Sequence, residues 1–373
     1  MSRTIDILER LVAFDTVSAK SNLALIDYVQ EFLTTRGFAV IRLPDASGGK
    51  AGLLASIGPG GAGILLSAHT DVVPVESQVW THDPFRLSRD NGRLYGRGTT
   101  DMKGFLASML SLADRVEESA LIEPLKFSIS YDEEIGCLGI AQMIGAVDEH
   151  LGTPRAAIVG EPTEMAIATG HKGKVGLVAR AGGEAGHSSL APKFRNAIYE
   201  LADFMDDFRA IGDWYAANGA RDEALDIPYT TFHTGKFSGG TALNIVPDQA
   251  EMTFEFRHLP GDARGEIMAK IEAAAGPEIS LETIISYPGL ATDHAAAVVG
   301  LGKRLAATNS QIKVGYGTEA GFFDALGIPT IVCGPGSMEG QGHKPDEYVT
   351  EDQLERCDAM MDRVLAELCG ASV

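Results

Sequence analysis

The sequence is short of cysteine, of positive charge and of long apolar runs, and each shortage excludes something. Its 373 residues hold four cysteines, Cys137, Cys333, Cys357 and Cys369, with no C-x-x-C spacing. That gives no sign of a disulfide framework, and they read as reduced thiols. Lys and Arg number 31 against 51 Asp and Glu, a formal charge of −20. Such a balance disfavours a nucleic-acid or anionic-membrane binder, because nothing would offset phosphate repulsion. No stretch reaches the roughly 18 uninterrupted apolar residues of a membrane-spanning helix. The segment MSRTIDILERLVAFDTVSAKS carries acids and lacks the apolar run of a signal peptide, so a cytoplasmic protein is expected. A GxSxG elbow is also missing, and Ser188 and Ser189 in GHSSL sit in no such pattern, which leaves a serine hydrolase poorly supported.

Strands alternate with helices over much of the chain. Apolar positions at helical spacing run through residues 4–36 up to Gly37, followed by strands at Ala39–Leu43, Leu53–Ile57 and Gly63–Ala68. A small-residue helix at Gly104–Val116, a strand at Leu125–Tyr131, a helix near Leu138–Ile144 and a strand at Ala156–Val159 continue the pattern. This alternation predicts an α/β layered core. From about residue 176 the order becomes β-α-β-β-α-β, ending with the strand Ile279–Tyr287, which is the ferredoxin-like pattern. After Pro288 the α/β texture resumes. The expected organisation is a discontinuous α/β domain, 1–175 with 288–373, carrying an inserted α+β domain at 176–287.

Gly58, Gly60 and Gly63 in GPGGAG fit G-x-G-x-x-G, but ILLSAHTD after them reads as a strand. A dinucleotide fingerprint requires a helix there, so a hairpin turn is expected instead. The following strand runs into His69, with Asp71 two residues on, and in extended chain the two side chains point the same way. The pair suits either a satisfied structural histidine or a metal ligand oriented by a carboxylate. Further candidates follow strands or lie in glycine-rich loops: Asp101 in YGRGTTDMKG, Glu133 and Glu134 in YDEEIG, Glu161 in IVGEPTEM and His343 in GHKPDEY. Each has a plainer reading. Asp101 could cap the next helix, Glu161 could be a solvated loop acid and His343 a loop histidine. Together, at the carboxyl edge of an α/β sheet, they suggest a metal site. Imidazole mixed with carboxylates and no thiolate matches zinc, with cobalt or manganese as substitutes.

The series SAHTDVVP, GRGTTDMKG, YDEEIGCLG, GEPTEM, GHSS, ALNIVPD and GHKPDEY resembles the M20 metallopeptidase/deacylase family through nearly the whole chain. The resemblance implies a zinc-peptidase-like α/β catalytic domain with an inserted ferredoxin-like lid that also mediates a homodimer. It implies two Zn2+ per subunit, one held by His69 and Glu161, the other by Glu134 and His343, with Asp101 bridging. Asp71 would orient His69, Glu133 would be the general base, and His187 would reach the oxyanion from the partner subunit. Asn244 and Arg257 would bind a substrate carboxylate. Glu319 is expected either to meet a substrate ammonium or simply to sit near a helix N-terminus. Within the family, GGTALNIVPD, YGTEAGFF and CGPGSMEGQGHKPDEY point to hydrolysis of N2-acetyl-L-ornithine in arginine biosynthesis. Alternatives are succinyl-diaminopimelate, N-acetylcitrulline, other N-acylamino acids or dipeptides as substrate, and a non-catalytic binder on the same fold.

Overall fold

Local patterning sets the order of elements in the computed structural model, which describes residues 3–370. The ends of the expected 1–175 and 288–373 segments, residues 1–2 and 371–373, lie outside the described residues. The chain opens with helices α1 (Arg3–Val12) and α2 (Leu23–Thr34), then strands β1 (Ala39–Pro44), β2 (Ala51–Ile57) and β3 (Ile64–His69). Short strands β4 (Ser88–Asp90) and β5 (Arg93–Tyr95) precede α3 (Lys103–Ala113), β6 (Leu125–Ser130), α4 (Leu138–Leu151) and β7 (Ala156–Val159). Next come β8 (Ile167–Ala168), β9 (Gly170–His171), β10 (Gly173–Gly182), α5 (Ala197–Asn218), β11 (Thr231–Gly239), β12 (Gln249–His258), α6 (Arg264–Ala275) and β13 (Ile279–Tyr287). The chain closes with β14 (Leu290–Ala291), α7 (Ala297–Ala306), β15 (Gln311–Ile312), α8 (Ala320–Ala325), β16 (Thr330–Val332), β17 (Tyr348–Thr350) and α9 (Glu351–Leu368).

Two compact units result: Met1–Gly170 with Leu290–Val314 and Thr318–Val373, and His171–Gly289 with Gly315–Gly317. A division at 175/176 would cut β10, whose pairing with β12 already starts at Gly173↔His258.

The first unit is built on an eight-stranded sheet of order β1-β2-β6-β3-β7-β16-β8-β15. Its centre is parallel, with β3 beside β6 and β7, and β7 beside β16. Every residue of β3, β6 and β7 is buried, as expected for parallel strands covered on both faces. Helix α3 is also buried at every position, and its glycine, alanine and serine residues let it pack closely against its surroundings. The core joins α1, α2, α3 and α9 to the sheet through residues such as Leu8, Val29, Phe105, Phe127 and Met361.

In the second unit the order β11-β12-β10-β13 is the 4-1-3-2 arrangement of a β-α-β-β-α-β chain, antiparallel throughout. Phe204, Phe208, Phe254 and Phe256 fill its core between the sheet and α5 and α6. Asn196 caps α5 by accepting the N–H of Ile198 at 3.0 Å.

Residues 4–36, whose apolar positions follow helical spacing, form the two helices α1 and α2, and between them Thr16–Ser18 pair with Val72: Val72 N–H donates to the Thr16 carbonyl at 3.1 Å, and Ser18 N–H to the Val72 carbonyl at 3.1 Å. The glycine turn at 58–63 is not a hairpin, since β6 lies between β2 and β3. Gly63 there has φ +61°, and a Cβ would stand 2.0 Å from the Pro124 carbonyl oxygen, so only glycine fits. Helix α9 was not foreseen, although Thr350 and Gln353 form a capping box at its start. Among the described residues no helix is long and apolar enough to cross a membrane.

Candidate metal centre

The parallel strands of the first unit deliver the candidate ligands to one edge. His69 is the last residue of β3, Glu133 and Glu134 follow β6, and Glu161 lies two residues beyond β7. After Ser130 the chain turns sharply at Asp132 (φ 55°), and Glu133's carbonyl accepts the N–H groups of Gly136 and Cys137 at 2.9 Å each. Asp101 sits in the loop before α3, and His343 lies in the loop after β16 with φ 59°.

These residues converge. His69 Nε2 is 3.0 Å from Asp101 Oδ1 and 3.7 Å from Glu161 Oε1. His343 Nε2 is 3.1 Å from Asp101 Oδ2 and 3.0 Å from Glu134 Oε2. Two clusters of potential ligand atoms, His69–Glu133–Glu161 and Asp101–Glu134–His343, each lie within 4.8 Å internally. Asp101 thus gives one oxygen to each imidazole. It does not cap α3, whose N-cap position is Met102 with no side-chain bond. Glu161 is 2% exposed, so it is not a solvated loop acid.

The electrostatics fit a cation. His69 Nδ1 lies 3.0 Å from the Asp71 carbonyl, an acceptor only, so Nδ1 carries the hydrogen. Its Nε2 then faces two carboxylates, and that arrangement needs a proton or a metal between them. Burial lowers the His69 pKa, but Asp101 and Asp71 outweigh it and raise it well above the usual value. Hydrogen bonds to Asp101 and Glu134 raise His343 to about 10. Burial, then the charge of Asp101, raises Glu134 to about 7, and burial raises Glu133 and Glu161 strongly. Buried Glu134 Oε1 and Glu161 Oε1 have no hydrogen-bond partner. Oxygen and nitrogen donors with orphaned carboxylate oxygens suit a hard or borderline divalent metal.

Supporting residues differ in part from expectation. The nearest acceptor for His69 Nδ1 is the carbonyl of Asp71, with its carboxylate Oδ1 at 3.4 Å. That carboxylate also accepts Ser18 Oγ at 2.6 Å and the N–H groups of Glu133 and Glu134 at 3.1 and 3.3 Å. Asp132 pairs with Lys50. Glu319, expected either to meet a substrate ammonium or to sit near a helix N-terminus, is 1% exposed and accepts Ser130 Oγ at 2.5 Å and Ser67 Oγ at 3.4 Å. Burial raises its pKa to about 7, and its oxygens are directed at β3 and β6. It occupies the N-cap position of α8 without a side-chain cap bond.

Two residues were missed. Arg97 and Glu347, both 1% exposed, form a buried ion pair at 2.7 Å. The available signal was a charged pair inside the quoted motifs GRGTTD and HKPDEY.

In the second unit, residues 186–188 and 244–246 pair, with Ser188 N–H donating to the Asn244 carbonyl at 3.1 Å and Val246 N–H to Gly186 at 2.8 Å. His187 and Asn244 are therefore neighbours in space, and both are exposed. The Ser189 N–H donates to His187 Nδ1 at 3.2 Å, which places the imidazole hydrogen of the neutral ring on Nε2. Arg257 Nε donates to Glu255 Oε1 at 3.0 Å, on a strand whose other face packs into the unit's core.

Residues 65–367 match the model of peptidase family M20/M25/M40. The chain is 34% identical to acetylornithine deacetylase of Pasteurella multocida over 96% of each sequence. Its fold is similar to that of an M20 family metallo-carboxypeptidase from Sulfolobus solfataricus, with TM-score 0.78, 19% identity and coverage of 99% of this chain and 100% of that one. It is also similar to a Bacillus subtilis protein described as a dinuclear metal-binding M20 peptidase, with TM-score 0.68, 15% identity and coverage of 100% and 99%.

Proposed function

The chain belongs to peptidase family M20/M25/M40 and is a metal-dependent amidohydrolase; from that premise we propose that it hydrolyses N2-acetyl-L-ornithine to L-ornithine and acetate. The observation that carries the reading is the carboxylate of Asp101, whose two oxygens lie 3.0 Å and 3.1 Å from His69 and His343. It is an arrangement suited to two adjacent metal ions. His69 and Glu161 would hold one, Glu134 and His343 the other, with Asp101 shared. Zn2+ fits these donors, and Co2+ or Mn2+ would substitute.

When bound, the divalent ions would polarise the amide carbonyl and make water acidic enough to react near neutral pH. Glu133 would take the proton of the attacking water and deliver it to the departing α-amine, as the oxygen adds to the acetyl carbon and the C–N bond breaks. Its buried setting raises its proton affinity, which suits that shuttle. His187 would donate its Nε2–H to the developing oxyanion, acting from the partner subunit of a homodimer. Asn244 and the two Nη groups of Arg257 would hold the substrate carboxylate, the latter as a fork. The substrate assignment draws on the acetylornithine deacetylase relative at 34% identity over nearly full length. It implies a cytoplasmic role in arginine biosynthesis.

The test is a substrate panel with zinc- or cobalt-loaded protein: N2-acetyl-L-ornithine against succinyl-diaminopimelate, N-acetylcitrulline, other N-acylamino acids and dipeptides. Acetylornithine should give the highest kcat/KM. If it ranked among the poorest, the substrate assignment would fail while the family membership stood.

A further inference from the structure

Of the five candidate ligands, His343 alone is not held by packing. Its side chain is 47% exposed, against 5% or less for His69, Asp101, Glu134 and Glu161. The residue lies in the loop QGHKPDE with backbone φ 59°, and besides its ring contacts with Asp101 and Glu134 its backbone has a partner of its own.

Gln78 Nε2 donates to the His343 carbonyl at 2.9 Å. Chemistry fixes the orientation of that amide: Gln78 Oε1 receives the Arg97 guanidinium and, at 3.2 Å, the Trp80 indole N–H, both donors only. Its NH2 group must therefore face the carbonyl. Arg97 lies behind, with Trp80 stacked at 4.9 Å from its guanidinium carbon, and it also donates to the Lys344 carbonyl at 3.4 Å. Its ion-pair partner Glu347 accepts the N–H groups of Gly98, Thr100 and Asp101 at 3.1, 2.9 and 3.1 Å.

We infer that Gln78 is a positioning residue for His343, and that the Arg97–Glu347 pair locks the Gln78–His343 contact to the loop that carries Asp101. Two ligands of one metal group, 242 residues apart in sequence, are thereby held in fixed register by one network, buried at Arg97 and Glu347 and partly exposed at Gln78. Partners that hydrogen-bond a ligating ring cost about 10- to 100-fold in metal affinity when lost, and Gln78, acting one step back on the backbone of His343, falls at the lower end of that range. The inference rests on reading Asp101, Glu134 and His343 as a metal group.

Metal-free full-length protein is titrated with Co2+ alone, following the visible d–d absorption and the heat of binding, for wild type, Gln78→Ala and Gln78→Glu. Gln78→Glu keeps an acceptor for Arg97 but has no donor for His343. Both variants should show one Co2+ step weakened roughly 10-fold, with a changed spectrum for that step. The other step and the unfolding midpoint should match wild type. Wild-type behaviour in both variants, or in Gln78→Glu alone, would overturn the positioning role. So would equal weakening of both steps with a lowered unfolding midpoint, since Gln78 would then serve only the fold. Absence of Co2+ uptake by the wild type would instead overturn the underlying reading of the metal group.

Discussion

The carboxylate of Asp71 accepts the backbone N–H of Glu133 at 3.1 Å. Asp71 thus contacts two parts of the centre, because the same carboxylate also lies 3.4 Å from His69 Nδ1. An asparagine there would turn an NH2 group toward donors that need an acceptor. In Asp71→Asn, metal affinity and kcat should both fall roughly 10- to 100-fold, measured by metal titration and steady-state kinetics. Wild-type values for both would remove Asp71 from any orienting role.

Glu133 separates binding from chemistry. If it is the base, Glu133→Gln retains metal stoichiometry while kcat falls by about 10^2- to 10^4-fold, checked by elemental analysis beside turnover. Loss of metal instead would make Glu133 a ligand of the His69–Glu161 cluster, a role its position also permits.

His187 offers a test of where the oxyanion donor comes from. His187→Ala and Glu133→Ala are each expected to be nearly inactive. If His187 acts across a dimer, unfolding and refolding the two together gives mixed dimers with one complete site each. About half of the dimers would be mixed, so about a quarter of wild-type activity should return. No recovery would place His187 with its own subunit's chemistry, and full activity of His187→Ala alone would remove it from catalysis.

His171 should shape the acid limb of stability. It is 1% exposed, and burial lowers its pKa from 6.5 to about 4. The unfolded chain therefore binds a proton more readily than the folded one. The sign follows: stability is full above about pH 6.5 and declines as pH falls toward 4, by on the order of 3 kcal/mol for this group. Chemical denaturation of wild type and His171→Gln between pH 7 and pH 4, the window set by that shift, should show a shallower acid loss in the variant. Parallel pH curves would refute this.

Much of the first unit was legible because parallel strands advertise themselves. ILLSAH and the run LKFSIS are buried at every position; the first ends on His69 itself and the second is followed, after Tyr131, by the acids Asp132, Glu133 and Glu134, chemistry out of place at the end of a buried strand. The second unit was legible from the order of its elements. Other features escaped for physical reasons. The turn at 58–63 read as a hairpin, whereas β6 lies between β2 and β3, a pairing that the turn's own residues do not encode. Glu319 left two readings open because a short loop motif does not reveal burial; in the fold its oxygens meet serines on β3 and β6.

The sequence by itself determined which side chains have the chemistry of metal ligands and which strands bring them to one edge, because donor type and strand period are local properties. Only the tertiary structure decided that one carboxylate reaches two imidazoles. It also joined a glutamine, an arginine and a glutamate outside the candidate ligands in one hydrogen-bonded network with the loop of the exposed histidine. Arg97 and Glu347 meet across 250 residues of chain, and such a pairing is fixed by the packing of whole segments, which no local pattern encodes.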